Sequence, residues 1–292
     1  MTDIHPTAAV DPQAQIGEGV RVGPFAYIGP DVKIGAGTII HNHASICGCT
    51  TIGTHAQVHA SAVVGGPPQD LKYKGGRTTL TIGDFTVIRE CATLNTGTEL
   101  GGGRTVVGNH NLIMAYAHIA HDCVLEDRVV VANAAQLAGH VHIEAGARIS
   151  GLAAIHHFVR IGQGGFVAGC ARLSIDVPPY TLAEGFPARI RGLNLEGLRR
   201  QNVDDETVMA LKEVYRMLFR KEDLTHEQAY EEIKKRGLDK HALVDEFICF
   251  VQDTDRGRHG RAQEGTRVKI SPEDRDGPLG LRAESIPSEL AQ

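Results

Sequence analysis

Two histidines and an aspartate stand close together in Ala117-His118-Ile119-Ala120-His121-Asp122-Cys123. Eighteen residues past His121 comes Gly139, followed by His140; eighteen past Gly139 comes His157, preceded by His156. These five are a third of the chain's 15 histidines. An imidazole beside a carboxylate can take a proton from a hydroxyl near neutral pH. Three imidazoles together can hold a zinc ion. Surface histidines in a His-rich chain do neither, and His5, His41, His43, His55 and His59 read that way. The choice turns on whether an eighteen-residue spacing brings these side chains together in space.

The elements that would position them follow from the period. Apolar residues recur every six positions from Ile4 to Val64, again from Ile82 to Leu100, and again from Val107 to Leu173, 27 in all. A small or β-branched residue often sits two positions earlier, as Ala26 does before Ile28. Residues two apart share a face of an extended strand, so each hexad reads as a short strand and a turn. No α-helix uses a strict six-residue repeat. Three hexads close one triangular turn of eighteen residues, giving a parallel β-helix of roughly nine coils, about 4.8 Å apart. Residue n then lies over n+18. His121, Gly139 and His157 form one column, and Asp122, His140 and Phe158 the next. His118 points outward between inward Ala117 and Ile119. Cys123 occupies an inward position, as a core thiol and not a nucleophile.

The period breaks near 66–81 and 101–106, where loop insertions are expected. Pro178-Pro179 ends it, and residues 1–190 read as the β-helix domain. Arg189 to Arg200 reads as a basic connector. Residues 191–254 read as a small α-helical domain: Asp204 or Asp205 caps a helix, Thr225 and Gln228 make a capping box, Gly237 is a stop, and Asp239 starts a further helix. Residues 255–292, rich in Arg, Gly, Pro and Glu, read as a disordered tail.

Composition removes several functions. The net charge of −5 argues against nucleic-acid coating. No apolar run approaches about 20 residues, so no stable membrane insertion is expected. Met1–Val10 lacks an apolar leader, and six scattered cysteines suit a reducing, cytoplasmic location. Cys47-Gly48-Cys49 has no second pair nearby and reads as packing, not as a metal site.

Four motifs in order carry a resemblance: Gln69-Asp70-Leu71-Lys72-Tyr73 in the first break, the His118–Cys123 segment, Gly139-His140, and Asn194-Leu195-Glu196-Gly197-Leu198-Arg199-Arg200 after the repeat. Together they resemble the bacterial UDP-N-acetylglucosamine O-acyltransferase family of lipid A biosynthesis, over about residues 1–254. The resemblance implies a mainly β fold, with a left-handed hand for the parallel β-helix, followed by the small helical domain. It also implies a cytoplasmic homotrimer with sites between neighbouring prisms. The expected reaction moves an R-3-hydroxyacyl group from acyl carrier protein to the 3-OH of UDP-N-acetylglucosamine, the first step of that pathway.

Carried over residue by residue, His121 is the general base, Asp122 its orienting carboxylate, and Gly139 N–H an oxyanion donor. Gln69, Asp70, His118, His140, His156, Asn194, Glu196 and Arg200 match sugar-nucleotide contacts, and Lys72 a contact to nucleotide or carrier. His157 stands where the family often has Gln. Gly169 matches the position that limits acyl-chain length, and glycine there predicts a longer chain. No metal and no cofactor are implied beyond the phosphopantetheine of the carrier. The carrier is acidic, and Arg189, Arg191, Arg199, Arg200, Arg216, Arg220 and Lys221 offer local positive charge despite the net value. Three other readings stay open at this point: transfer to a 3-amino UDP-sugar or a related N-acylation, a zinc-dependent β-helix hydratase, and a non-enzymatic β-helix scaffold.

Overall fold

The computed structural model describes residues 1–221 and 223–266. Short parallel strands, mostly two residues long, stack into three sheets of 11, 9 and 8 strands. The sheets begin at Asp3–Ile4, Ala9–Val10 and Gln15–Ile16 and are taken in rotation, so every third strand pairs. Each typical strand turns its first side chain out and its second in, as Arg21–Val22 and Tyr27–Ile28 do. The inward set is the hexad set: Ile46, Val64, Leu94, Ile119, Leu137 and Leu173 stack in one sheet, each fully buried. Burying side chains of this size contributes about 1.5–3 kcal/mol each. Ile4 is 43% exposed, because the first coil has a neighbour on one side only.

The register shows where the coil is interrupted. Paired residues are eighteen apart at Asp3↔Arg21, thirty at Gln57↔Val87, twenty-five at Val87↔Leu112 and eighteen again at Leu112↔Val130. The extra residues lie in 67–78, between strands Val63–Gly66 and Thr79–Ile82, and in 96–103, between Thr93–Asn95 and Arg104–Val107. The second break therefore starts earlier than 101. Leu100 is no core residue: it sits on the short 3-10 turn Glu99–Gly101, 61% exposed, while Thr105 and Val107 turn inward after it. Its six-residue distance from Leu94 is a coincidence inside an insertion. Both insertions leave the prism between the second and third sheets. His121 and Asp122 lie on that same corner, between strands His118–Ile119 and Val124–Leu125.

At the far end the first sheet continues past Pro179. Strand Thr181–Gly185 pairs parallel with Phe166–Val167 and antiparallel with Ala188–Leu193. The expected basic connector is thus a strand followed by helix α1 (Leu195–Arg200), and the sheet outlasts residue 190. Helix α2 (Asp205–Phe219) is capped by Asp204, and α3 (His226–Lys235) carries the Thr225/Gln228 capping box. Gly237 follows α3 in the left-handed conformation. Helix α4 (Ala242–Asp255) starts three residues later than expected, because Asp239 lies in a 3-10 turn. Leu211, Val214, Phe247 and Val251 form a second core with Tyr180 and cover the last coil.

The disordered reading of 255–292 needs correction at its start. Asp255 ends α4, and Gly260–Thr266 forms a 3-10 helix. Polar composition hid it, since its anchors are ionic and not apolar. The rest of that tail, 267–292, lies outside the described residues.

Candidate active site

Asp122, His140 and Phe158 occupy successive turns of the same corner, each with φ near +60°. A left-handed conformation costs a non-glycine residue about 1 kcal/mol or more, here imposed by the stacked coil. It turns His121 inward along the corner: His121 is 4% exposed and Asp122 7%. Nδ1 of His121 lies 2.8 Å from Oδ2 of Asp122. The Asp122 carboxylate also accepts from the Thr98 N–H at 2.9 Å and the Thr98 hydroxyl at 2.6 Å. Its own N–H donates to the Thr105 hydroxyl at 2.8 Å. Burial alone would raise the carboxyl, but the hydrogen bonds from His121 and Thr98 outweigh it and hold Asp122 below its ordinary range. An ionised Asp122 only accepts, so His121 donates through Nδ1 and keeps Nε2 as the free acceptor.

Nε2 faces the next coil. A methyl group on Gly139 would stand 2.6 Å from it and 2.4 Å from Cε1, so only glycine lets the ring lie against this backbone. The Gly139 N–H donates to no acceptor among the described residues. His140 crosses His121 edge-on at 5.2 Å between ring centroids and stacks on Phe158 at 4.4 Å. Burial pushes the His140 imidazole down to about 4, against the pull of Asp122, so it is neutral at pH 7. His118 is also lowered, by burial and by His121, and its Nδ1 meets the Thr93 hydroxyl at 2.7 Å.

The first insertion folds over this cluster. Asp70 Oδ2 lies 3.8 Å from His121 Nε2, and Lys72 Nζ lies 3.5 Å from the same oxygen. Burial would raise Asp70, but the Lys72 N–H and ammonium outweigh it and lower the carboxyl. Gln69 is exposed beside it. Farther up the corner, His156 and His157 meet edge-on at 5.5 Å. Cys123 is fully buried and its thiol is pushed up to about 12, chiefly by burial, which makes it inert as expected.

Within one chain, other expected residues lie elsewhere. Asn194 caps α1, accepting from Gly197 N–H at 3.0 Å, and donates to the Gly164 carbonyl at 3.0 Å. Glu196 pairs with Arg199 and Arg200, both at 2.8 Å. With Arg128, Gly146 and Gly164, the residues Asn194, Glu196 and Arg200 line a groove of about 620 Å³ on the corner between the third and first sheets. Gly169 is exposed on the remaining corner, and a methyl group there would meet only the Gly151 carbonyl at an ordinary 3.5 Å. The coil itself does not require glycine at 169.

Thr98 and Thr105 are part of the site but were not expected there: Thr105 follows the repeat, as the inward residue two before Val107, and Thr98 sits inside the second insertion, where spacing stops predicting position. His121, Asp122 and His140 present donor atoms within 4.8 Å of one another, a spacing a metal could use. Oδ2 of Asp122 is already committed to His121 and Thr98, however, and His140 lies flat on Phe158. This set fits a proton relay better than a zinc centre.

A family model described as "Udp N-acetylglucosamine O-acyltransferase; Domain 2" matches residues 176–259, and a bacterial transferase hexapeptide model matches 13–48 and 104–139. The acyl-(acyl-carrier-protein)–UDP-N-acetylglucosamine O-acyltransferase of Burkholderia lata is 47% identical over 260 residues, covering 88% of this chain and 99% of that protein. The protein of that name from Synechocystis is 47% identical over 201 residues, 68% of this chain and 71% of its own. The solved UDP-N-acetylglucosamine acyltransferase of Campylobacter jejuni superposes with a TM-score of 0.78 at 40% identity, covering 86% of this chain and 96% of that one. The prism is accordingly a left-handed parallel β-helix. The 3-amino acceptor, zinc hydratase and scaffold readings gain no support from these relatives. The chain belongs to the acyl-(acyl-carrier-protein)–UDP-N-acetylglucosamine O-acyltransferase family.

Proposed function

We propose that this chain carries its family's transfer, from an R-3-hydroxyacyl thioester on acyl carrier protein to the 3-OH of UDP-N-acetylglucosamine, through His121. The observation that carries the assignment is the His121 ring, hydrogen-bonded to Asp122 at 2.8 Å and leaning on the Gly139 backbone. Nε2 takes the proton of the sugar hydroxyl as its oxygen attacks the thioester carbon. The resulting oxyanion is held by the Gly139 N–H. Collapse breaks the carbon–sulfur bond, and the pantetheine thiol leaves with the proton from His121. No enzyme-bound acyl group forms, and no metal or cofactor is needed beyond the carrier's own phosphopantetheine.

Asp70, Gln69, His118, His140, His156 and His157 surround the acceptor in this reading, with Lys72 on its anionic part. Asn194, Glu196 and Arg200 lie on another corner of the same prism. That placement supports a homotrimer in which a neighbouring copy brings them to a site between chains. Arg200, a planar and permanently charged donor, suits the diphosphate. The carrier meets the arginines of the helical domain, where Arg216 is exposed. Among the described residues no helix is long and apolar enough to cross a membrane.

Transfer assayed with wild type and His121→Ala side by side tests this. The variant should lose about 10² to 10⁴ in kcat, the usual worth of a general base. A variant that keeps the wild-type rate would remove His121 from the chemistry.

A further inference from the structure

Asp122, His140 and Phe158 are followed on the same corner, eighteen residues on, by Asp176. Its carboxylate accepts the Arg160 N–H at 2.8 Å and the Arg261 N–H at 3.0 Å to each oxygen. This anchors the 3-10 helix Gly260–Thr266 beside the site. The anchor is built for a close backbone: Gly260 has φ +68°, and a methyl group there would stand 2.1 Å from an Asp176 oxygen. The segment begins where the family match ends, at residue 259.

Held this way, Arg261 Nη1 reaches Nδ1 of His156 at 2.9 Å and the His157 carbonyl at 2.5 Å. Its Nη2 pairs with Glu264, whose other oxygen lies 4.0 Å from His156 Nδ1. A guanidinium has five donors and no acceptor. Nδ1 of His156 must therefore offer its lone pair, and the ring proton must sit on Nε2.

We infer that Arg261 is a positioning residue for His156: it fixes the imidazole as the neutral Nε2–H tautomer, so that His156 meets the sugar nucleotide only as a donor. The inference rests on the reading that His156 contacts the acceptor. It assigns a part in substrate binding to residues the family match does not reach. Arg261 supplies orientation from behind, as an outer hydrogen-bond partner fixes a ligating histidine.

The test uses the full chain with isotope-labelled histidine, the His156 ring resonances being identified by their loss in His156→Gln. Wild type should show the Nε2–H tautomer. Arg261→Ala should lose that preference, and Arg261→Lys should restore part of it. Gly260→Ala, which pushes the anchor off Asp176 while keeping Arg261, should reproduce the Arg261→Ala spectrum. The segment lies outside the coil, so none of these variants disturbs the core. In steady state, Arg261→Ala and Gly260→Ala should raise KM for UDP-N-acetylglucosamine about tenfold, roughly one hydrogen bond, with kcat within about twofold. An unchanged His156 tautomer in Arg261→Ala would overturn the inference. A changed tautomer with unchanged KM would take His156 out of the acceptor site, and Arg261's part with it, leaving the His121 chemistry standing.

Discussion

The imidazole of His121 rests on the backbone of Gly139, one coil away, so closely that a single added methyl group would come within 2.4 Å of it. The proposed base and the proposed oxyanion donor thus occupy one column of the prism. Their separation is set by the stacking of main chains together with the His121 rotamer that Asp122 holds.

Gly139→Ala should expose that dependence. The β-helix needs no glycine conformation at 139, since no left-handed φ occurs there. The methyl group would displace the His121 ring and the nearby N–H together. We expect kcat to fall about 10² to 10³, the scale of losing an oxyanion donor, while Tm moves by only a few degrees. A variant with near-normal kcat would show that the ring has room to retreat and that Gly139 is not the oxyanion donor.

Mixing two crippled chains tests the intersubunit reading. His121 and Arg200 lie on different corners of one prism. Co-expressed His121→Ala and Arg200→Ala chains should regain activity well above either alone, because about one site in four then draws both intact residues from different copies. Activity no higher than the average of the two parents would place both residues in one chain's site.

Acid should destabilise the fold through His140. Its imidazole is held at about 4, below the ordinary value of 6.5, chiefly by burial. Below pH 6.5 the unfolded chain binds the proton first, so stability is full above 6.5 and falls as pH drops toward 4. His118, also depressed, adds to the slope in this window. Asp122 and Asp70 are lowered carboxyls and act in a lower one. Tm measured from pH 7 to 4.5 should fall more steeply in wild type than in His140→Phe, which keeps a ring on Phe158 and cannot titrate. Parallel curves would acquit His140.

Gly169→Met should change selectivity without changing stability. A methyl group at 169 makes only an ordinary contact at 3.5 Å, so Tm should hold within about 2 °C. Rates across 3-hydroxyacyl chain lengths should shift toward shorter donors. An unchanged preference would sever Gly169 from the acyl path.

The histidine site was legible because a strict period converts spacing into distance. His121, Gly139 and His140 were placed from sequence by one rule, n over n+18. The rule fails inside insertions, which explains both Leu100, in step with the repeat yet exposed, and Thr98, out of step yet bonded to Asp122. It says nothing of how corners meet across chains, so Asn194 and Arg200 were expected at the site yet lie away from His121 in the single prism. The helices announced their caps at Asp204 and Thr225, whose side chains bond the backbone locally. Gly260–Thr266 gave no such signal: its anchors, Asp176 and His156, lie 85 and 105 residues from Arg261.

Both insertions leave the prism from one sheet and re-enter the next in register, with Thr79↔Arg104 stacked as if nothing intervened. Loop length is thereby uncoupled from core packing. Exposed positions of 67–78 and 96–103, such as Leu71 and Leu100, can be changed without re-solving the hydrophobic interior, while Asp70 and Thr98 carry the two loops to the His121–Asp122 pair. The frame that packs the core and the loops that close over His121 and Asp122 are thus separate stretches of chain, so the loops can be redesigned on an unaltered frame.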